Sequence, residues 1–265
     1  MSCSNADQPV ARTQADGRES RGNRPERRIS RAFMRFRVRA SYRRGRVDRE
    51  PGPAGLHPVP AKGDTGRVDV TDLDADPLRQ LSLWLDEARA AGQPMPEAMT
   101  IATATSEGVP SARLVVLRGL RGGLVFFTDC DSDKGAELAA NPQAAAVLHW
   151  LEPAHRQARV AGPTERVSED EADEYWRTRA PAVRLSAAAS RQSRVLASRA
   201  ALETQVRDIA RRHPDGTGLP RPPRWGGFRV LPSRVEFWQE SPDGLHDRIR
   251  YRSQGTGWIT ERLSP

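Results

Sequence analysis

The sequence predicts a mainly β fold with added helices, a β-barrel carrying helical additions in one unit of about 190 residues. Three observations predict it. Short alternating or apolar runs recur between Met99 and Arg262, separated by Gly, Pro, Asn and Asp. Helical periodicity is confined to a few stretches, each opened by a cap residue. No Gly-x-Gly-x-x-Gly stands between a strand and a helix, which disfavours a doubly wound dinucleotide-binding fold.

The first helix is predicted from Asp76, an N-cap followed by Pro77 at N1, with Leu78, Leu81, Trp84, Leu85 and Ala88 on one face until Gly92 ends it. Strands follow over Met99–Thr105, Ala112–Leu117 and Leu124–Thr128, with a turn at Glu107-Gly108. A short helix over Lys134–Ala140 stops at Asn141-Pro142, and two more strands cover Ala144–Trp150 and Gln157–Val167. Ser168-Glu169-Asp170-Glu171 reads as a capping box for a helix carrying Tyr175, Trp176 and Arg179. Residues 180–197 lack clear periodicity and read as an active-site loop. Ser198 caps a helix with Leu202, Val206 and Ile209 in register, and a Pro/Gly linker runs from His213 to Pro223. The last strands are expected over Phe228–Gln239, Arg248–Arg252 and Gly257–Arg262.

Charge divides the chain. Residues 1–50 hold fourteen Arg, no Lys and six acidic residues, so the whole formal net charge of +8 lies there. Residues 1–70 read as a disordered Arg-rich arm preceding a domain over 71–265. A solvated extension is the plainest role for it; contact with nucleic acid or an anionic membrane ranks below. Lys62 and Lys134 are the only lysines, which makes Lys134 informative in a chain that uses Arg elsewhere. Cys3 and Cys130 have no partner spacing, and no His-x-x-x-His appears, so neither a disulfide framework nor a metal site is expected. No apolar run approaches the ~20 residues of a membrane span, and no secretory h-region opens the sequence. A cytoplasmic location is the expectation.

Five blocks in order carry a resemblance. They are Ala112–Arg118, Phe126-Phe127-Thr128 with Ser132-Asp133-Lys134-Gly135, Arg156–Gly162, Ser190-Arg191-Gln192-Ser193, and the C-terminal Trp225-Gly226-Gly227-Phe228, Val235–Gln239 and Leu245-His246-Asp247-Arg248. Together they resemble the pyridoxamine 5'-phosphate oxidase family over about residues 74–265, with 225–265 as the C-terminal dimerisation and active-site segment. The resemblance implies an FMN-binding split β-barrel, a homodimer with cofactor between protomers, and a small aromatic substrate whose hydride equivalent passes to FMN and then to O2 as hydrogen peroxide.

It also implies roles for residues. Arg113, Lys134, Thr128 and Ser193 would meet the FMN phosphate, where charge-assisted hydrogen bonds suit a dianion. Phe127, Arg118, Gln157 and Gln192 complete the cofactor set, the amides facing the flavin edge. Trp238 would pack on the ring system; a Trp at strand spacing is otherwise plain core. Arg248 would stabilise charge developing on the flavin, and His246 and Arg248 are the catalytic candidates. Arg118, Tyr175, Arg179 and His246 would hold the substrate.

The likeness is incomplete on the substrate side. The family's Arg-x-His reads Gly244-Leu245-His246, a Ser shortly after the capped helix reads Val183, and the Arg before Lys134 reads Asp133. The usual Gly-Ala-Trp-Ala-Ser is Ser186-Ala187-Ala188-Ala189-Ser190. The Ser-Arg-Gln-Ser form resembles the flavin oxidases of phenazine biosynthesis, although that branch keeps the C-terminal Arg and lacks Trp-Gly-Gly. A specialised-metabolism paralogue is therefore preferred over a vitamin B6 oxidase. A non-catalytic flavin-binding split barrel is the remaining alternative.

Overall fold

The computed structural model describes residues 66–265 apart from Thr217 and the side chain of Asp215. Residues 1–65 of the expected arm over 1–70, with Cys3 and Lys62, lie outside the described residues. Residues 66–70 join the folded unit instead. Val68 is buried and donates its N–H to Asp247 Oδ2 at 2.8 Å, while Asp69 and Asp72 reciprocally cap a 3-10 turn over Val70–Asp72. A three-residue turn leaves no periodicity to read.

Helix α1 (Pro77–Ala90) forms as its cap and stripe predict: Asp76 accepts from Leu78 N at 2.9 Å, and Leu81, Trp84, Leu85 and Ala88 are buried. Trp84 meets Phe237 edge-on at 4.9 Å and Trp150 at 6.5 Å, which anchors the helix on the sheet. Losing that ring costs about 3–5 kcal/mol.

Among the described residues nine antiparallel strands follow: β1 (Ala98–Ala104), β2 (Pro110–Val116), β3 (Leu124–Asp129), β4 (Gln143–Trp150), β5 (Arg156–Arg166), β6 (Trp225–Val230), β7 (Arg234–Gln239), β8 (Asp247–Gln254) and β9 (Gly257–Arg262). The main path is β2-β1-β4-β5-β7-β8-β9, and β3 pairs with β6, which pairs with β5. A bridge between Gly119 and Val125 joins the end of the β2 segment to β3 and closes a barrel over β2-β1-β4-β5-β6-β3. The split lies in β5. Its first half, Arg156–Ala161, pairs with β7, and its last three residues, Thr164–Arg166, pair with β6.

The changeover needs a glycine. A Cβ on Gly162 would stand 1.9 Å from Leu231 O, in the corner where Leu231 N donates to Pro163 O at 2.8 Å and Ser233 N to Ala161 O at 2.9 Å. Pro232 in that corner breaks the expected Phe228–Gln239 strand into β6 and β7, because proline supplies no N–H to a ladder.

Four further helices are added: α2 (Asp133–Ala140), α3 (Glu169–Thr178), α4 (Pro181–Ala189) and α5 (Arg199–Arg212). Helix α4 corrects the expectation of a loop over 180–197. Pro181 starts it at N1, Leu185 packs into the Trp176 and Trp225 cluster and Ala189 is buried one turn on, so only 190–197 stays irregular. Two buried positions one turn apart are too short a stripe to register as a period. The α3 cap is half of the expected box: Ser168 Oγ accepts from Glu171 N at 3.2 Å, but the Glu171 carboxylate takes Arg229 Nη2 at 2.7 Å instead. Among the described residues, no helix is long and apolar enough to cross a membrane.

Candidate active site

The first cluster forms where β3 runs into α2. Thr128 is the penultimate residue of β3, and Gly135 lets the following turn close tightly, since a Cβ there would come 2.1 Å from Cys130 O. That closure brings Lys134 back over the strand end. Its Nζ donates to Thr128 Oγ1 at 3.1 Å, Ser132 Oγ at 3.3 Å and Gln192 Oε1 at 3.1 Å, and Thr128 donates to Gln192 at 3.0 Å. Ser132, the N-cap of α2, makes no side-chain cap bond, while Asp133 N donates to Ser193 Oγ at 3.2 Å. Ser193 holds φ +65°, a left-handed conformation that a non-glycine residue adopts at a cost of ~1 kcal/mol or more. Loop 190–197 thus seats on its own chain's Lys134 turn.

Arg113 approaches from β2. Its Nη1 donates to Thr103 Oγ1 at 2.5 Å, and its Nη2 donates to Ser111 Oγ and to Glu137 Oε2, the latter at 3.2 Å. Burial pushes the Glu137 carboxyl up, but hydrogen bonds from Thr103 and Ser111 and the Arg113 charge outweigh it and hold it below the usual range. Lys134 is shifted down, first by burial and then by the nearby Arg113 cation. Arg113 and Lys134 stand together at the start of α2, with Glu137, Asp129 and Asp133 within electrostatic reach of Lys134 and Asp129 already paired to Arg224. A pair of cations beside a helix N-terminus whose N-cap side chain makes no bond suits an anion such as a phosphate ester.

A second cluster stacks aromatic rings. Phe127 lies parallel to Tyr175 at 4.1 Å and to Trp225 at 5.4 Å, and Trp176 meets Trp225 edge-on at 4.9 Å. Arg118 sits over Tyr175 at 5.7 Å, and Arg179 over Trp225 at 4.7 Å. Arg179 Nη1 is buried with no hydrogen-bond partner among the described residues. Burial lowers the Arg179 pKa, and the Arg118 charge adds to that. A cleft of about 410 Å3 opens beside Arg118, Leu120, Phe127, Glu171 and Tyr175. Phe127, expected beside the cofactor, stacks on Tyr175, expected to hold the substrate, and lines the same cleft.

The third group is a row across four strands. Register places His149 opposite Gln157, Gln157 opposite Trp238 and Trp238 opposite Arg248. Side chains alternate along strands, so this row lies on the sheet face opposite Arg113, which pairs through Ile101 with the buried Ala146 position. Arg248 holds Glu236 Oε1 through Nε at 3.0 Å and Nη2 at 2.8 Å. The His246 ring lies 5.0 Å from Trp238, and its Nδ1 accepts from Ser241 N at 3.1 Å. Trp238 is partly exposed on this face rather than core. Gly244 takes φ +76° in the turn before His246.

Sequence reasoning missed Glu137, Ser111 and Thr103, the groups that fix Arg113. An acid three residues after Lys134 on a short helix was the available signal for Glu137. Trp225 was quoted within a motif but given no role; its stacking on Phe127 and under Arg179 gives it one.

Comparison with known proteins agrees with this geometry. Residues 85–213 match the family model described as pyridoxamine 5'-phosphate oxidase, and residues 225–265 match the pyridoxine 5'-phosphate oxidase C-terminal dimerisation region. A pyridoxine/pyridoxamine 5'-phosphate oxidase of Cupriavidus taiwanensis is 48% identical over 202 residues, covering 76% of this chain and 94% of the relative. Its counterpart in Paraburkholderia phymatum is 45% identical over the same shares of each chain. Among solved structures, PhzG from Burkholderia lata 383 in complex with tetrahydrophenazine-1-carboxylic acid is similar at 36% identity and TM-score 0.69, over 74% of this chain and 95% of that one. A pyridoxamine 5'-phosphate oxidase-related, FMN binding protein of Nostoc punctiforme shares the fold at 20% identity and TM-score 0.58, over 72% and 98%.

Proposed function

The chain belongs to the pyridoxamine 5'-phosphate oxidase family, and on that premise we propose that it oxidises a planar heteroaromatic substrate bearing an anionic group, foremost a B6 vitamer 5'-phosphate. It is an oxidoreductase with FMN as cofactor and the split-barrel fold. When bound, FMN accepts two electrons from the substrate and returns them to molecular oxygen as hydrogen peroxide. Arg113, Lys134, Thr128, Gln192 and Ser193 would hold its phosphate. Trp238, Gln157 and Arg248 would meet its ring system. Those two sets lie on opposite faces of one sheet, so a shared site draws one set from each of two protomers, in keeping with the matched dimerisation region. The proposed assembly is a cytoplasmic homodimer.

One observation carries the substrate reading: Arg118, Tyr175 and Arg179 converge, and Arg179 Nη1 is buried without a partner. A buried, unpaired guanidinium N–H is costly unless a ligand satisfies it. An anionic substituent seated there would neutralise both cations and fix the substrate against the Phe127–Tyr175–Trp225 stack. His246 beside Trp238 would contact the substrate ring, and Arg248 would face the charge gained on reduction. The name of the relatives at 45–48% identity supports a phosphate as the anion.

Gly244 favours a second reading. The family's Arg is absent at that turn, and φ +76° suits glycine rather than a long side chain. A carboxylated tricyclic substrate, like the ligand named for PhzG, would place its carboxylate on the same Arg pair. Peroxide release from pyridoxine or pyridoxamine 5'-phosphate, set beside a dihydrophenazine carboxylate, decides between them. Purified protein should be yellow; a colourless protein that takes up no FMN refutes both.

A further inference from the structure

Trp238 is gripped by an imidazole network outside the groups assigned so far. His155, in the loop before β5, donates from Nδ1 to Glu240 Oε2 at 2.6 Å, and its Nε2 lies 2.7 Å from His149 Nε2. The backbone adds a clamp, Glu240 N donating to His155 O at 2.9 Å. The His155 ring meets Trp238 edge-on, with centroids 5.2 Å apart and planes at 81°. His149 stands in the same cross-strand row as Gln157, Trp238 and Arg248.

Proton counting constrains this chain. A carboxylate only accepts, so His155 Nδ1 carries hydrogen. The facing Nε2 atoms then share one hydrogen between them. One further proton fits without breaking that contact: it enters at His149 Nδ1, and the hydrogen between the two Nε2 atoms can then rest on either ring. A second would set two N–H groups against each other. The other charged groups on this face are Arg248 of β8, paired with Glu236, and two residues along the strands Arg159, also on Glu236, and Arg250, on Glu261. Beyond Trp238 lies His246, whose Nδ1 is taken by Ser241 N.

We propose that Glu240, His155 and His149 form a one-proton network that positions the Trp238 indole, with His155 as the positioning residue. It rests on the reading of Trp238 as a flavin-facing ring, and it makes the orientation of that ring sensitive to protonation. Neutral, the His155 ring stacks edge-on as an uncharged neighbour. Protonated, it becomes a cation held between Glu240 and the indole, drawn toward the ring by cation–π attraction.

The test uses the full chain, FMN-free and FMN-loaded. With six Trp in the sequence, the Trp238 emission is isolated as the difference between wild type and Trp238→Phe. That component should fall roughly two-fold as pH drops from about 8 to about 5, the range in which histidine changes charge. His155→Phe should flatten the profile while keeping an edge contact. Glu240→Gln replaces the carboxylate that takes the His155 Nδ1 hydrogen by a neutral amide and should reduce the amplitude of the change. FMN retention should follow the wild-type profile and lose that dependence in His155→Phe. An unchanged profile in His155→Phe overturns the network; should that variant fail to fold, an unchanged profile in both Glu240→Gln and His149→Asn overturns it equally. A normal FMN-free profile in a protein that takes up no FMN supports the network and removes the flavin reading. FMN uptake with a flat profile sinks the network alone.

Discussion

Two pairs of cations in this molecule are built differently. Arg113 and Lys134 sit among hydroxyls and an amide, with Glu137 returning one negative charge. Arg118 and Arg179 sit on aromatic faces, and Arg179 keeps a buried N–H with no partner. The first arrangement is satisfied before any ligand arrives, as suits a phosphate that stays bound through every turnover. The second is satisfied only with a ligand in place, as suits a substrate that comes and goes. Pre-organisation favours retention, whereas an unpaired group gains most at the moment of binding.

Removing Arg113 gives the largest expected effect. Arg113→Ala takes away a cation that faces the proposed phosphate and leaves the Glu137 carboxylate, itself only 13% exposed, without its partner. FMN affinity should weaken by about 2–3 kcal/mol, roughly 30- to 150-fold in Kd, read by flavin fluorescence on titration into stripped protein. The KM for substrate in FMN-saturated protein should change little. Equal losses in both measurements would abolish the distinction between the pairs.

Arg179 gives the converse. Arg179→Met should raise KM about ten-fold or more for an anionic substrate while leaving FMN Kd unchanged. Thermal unfolding of the substrate-free protein should show no loss of stability, because a desolvated, unpaired charge is replaced by an apolar chain of similar length. A marked fall in Tm would mean that Arg179 holds the fold rather than the substrate.

Acidity separates the pairs again. Lys134 is depressed by burial and by Arg113, so it loses its proton at lower pH than an ordinary lysine. Its folded pKa lies below the unfolded one, so the penalty of the buried charge is present at neutral pH and relieved as pH rises through the folded value. FMN-free protein should therefore gain stability from this group on the alkaline side, while FMN affinity falls there. Lys134→Arg should remove the alkaline limb of FMN binding; an identical limb in that variant would assign it to another group.

How legible these pairs were differs for physical reasons. Local signals announce α1, since Asp76, Pro77 and the Leu81–Trp84–Leu85–Ala88 stripe all act within fourteen residues. The Lys134 turn was equally plain, because a lone Lys at a helix start needs no distant partner to be noticed. Glu137 was not, since its meaning comes from Thr103, Ser111 and Arg113 on strands far away in sequence. Helix α4 was hidden by its short apolar stripe, and the β6–β7 corner by a proline set between two strand-like runs. The split of β5 at Gly162-Pro163 depends on Leu231 crossing it, a contact that no local pattern encodes.

The smallest effect tests the turn that separates the two substrate readings. Gly244 closes a turn with its N–H on Ser241 O at 3.0 Å, at φ +76°, and a Cβ there meets nothing within 4 Å. Space is open, so Gly244→Arg carries only the backbone cost of a left-handed residue, about 1–2 kcal/mol. Tm should fall by a few degrees, about 2–4 °C per kcal/mol in a domain of this size. The guanidinium would stand two residues before His246, beside the Trp238 ring that His246 touches. If a B6 phosphate is the natural substrate and the turn has merely drifted, peroxide formation from pyridoxine 5'-phosphate should rise a few-fold, about 1 kcal/mol of transition-state stabilisation. If the turn was reshaped for a larger tricyclic ring, the same side chain should obstruct it, and turnover of the dihydrophenazine carboxylate should drop while the B6 rate stays low.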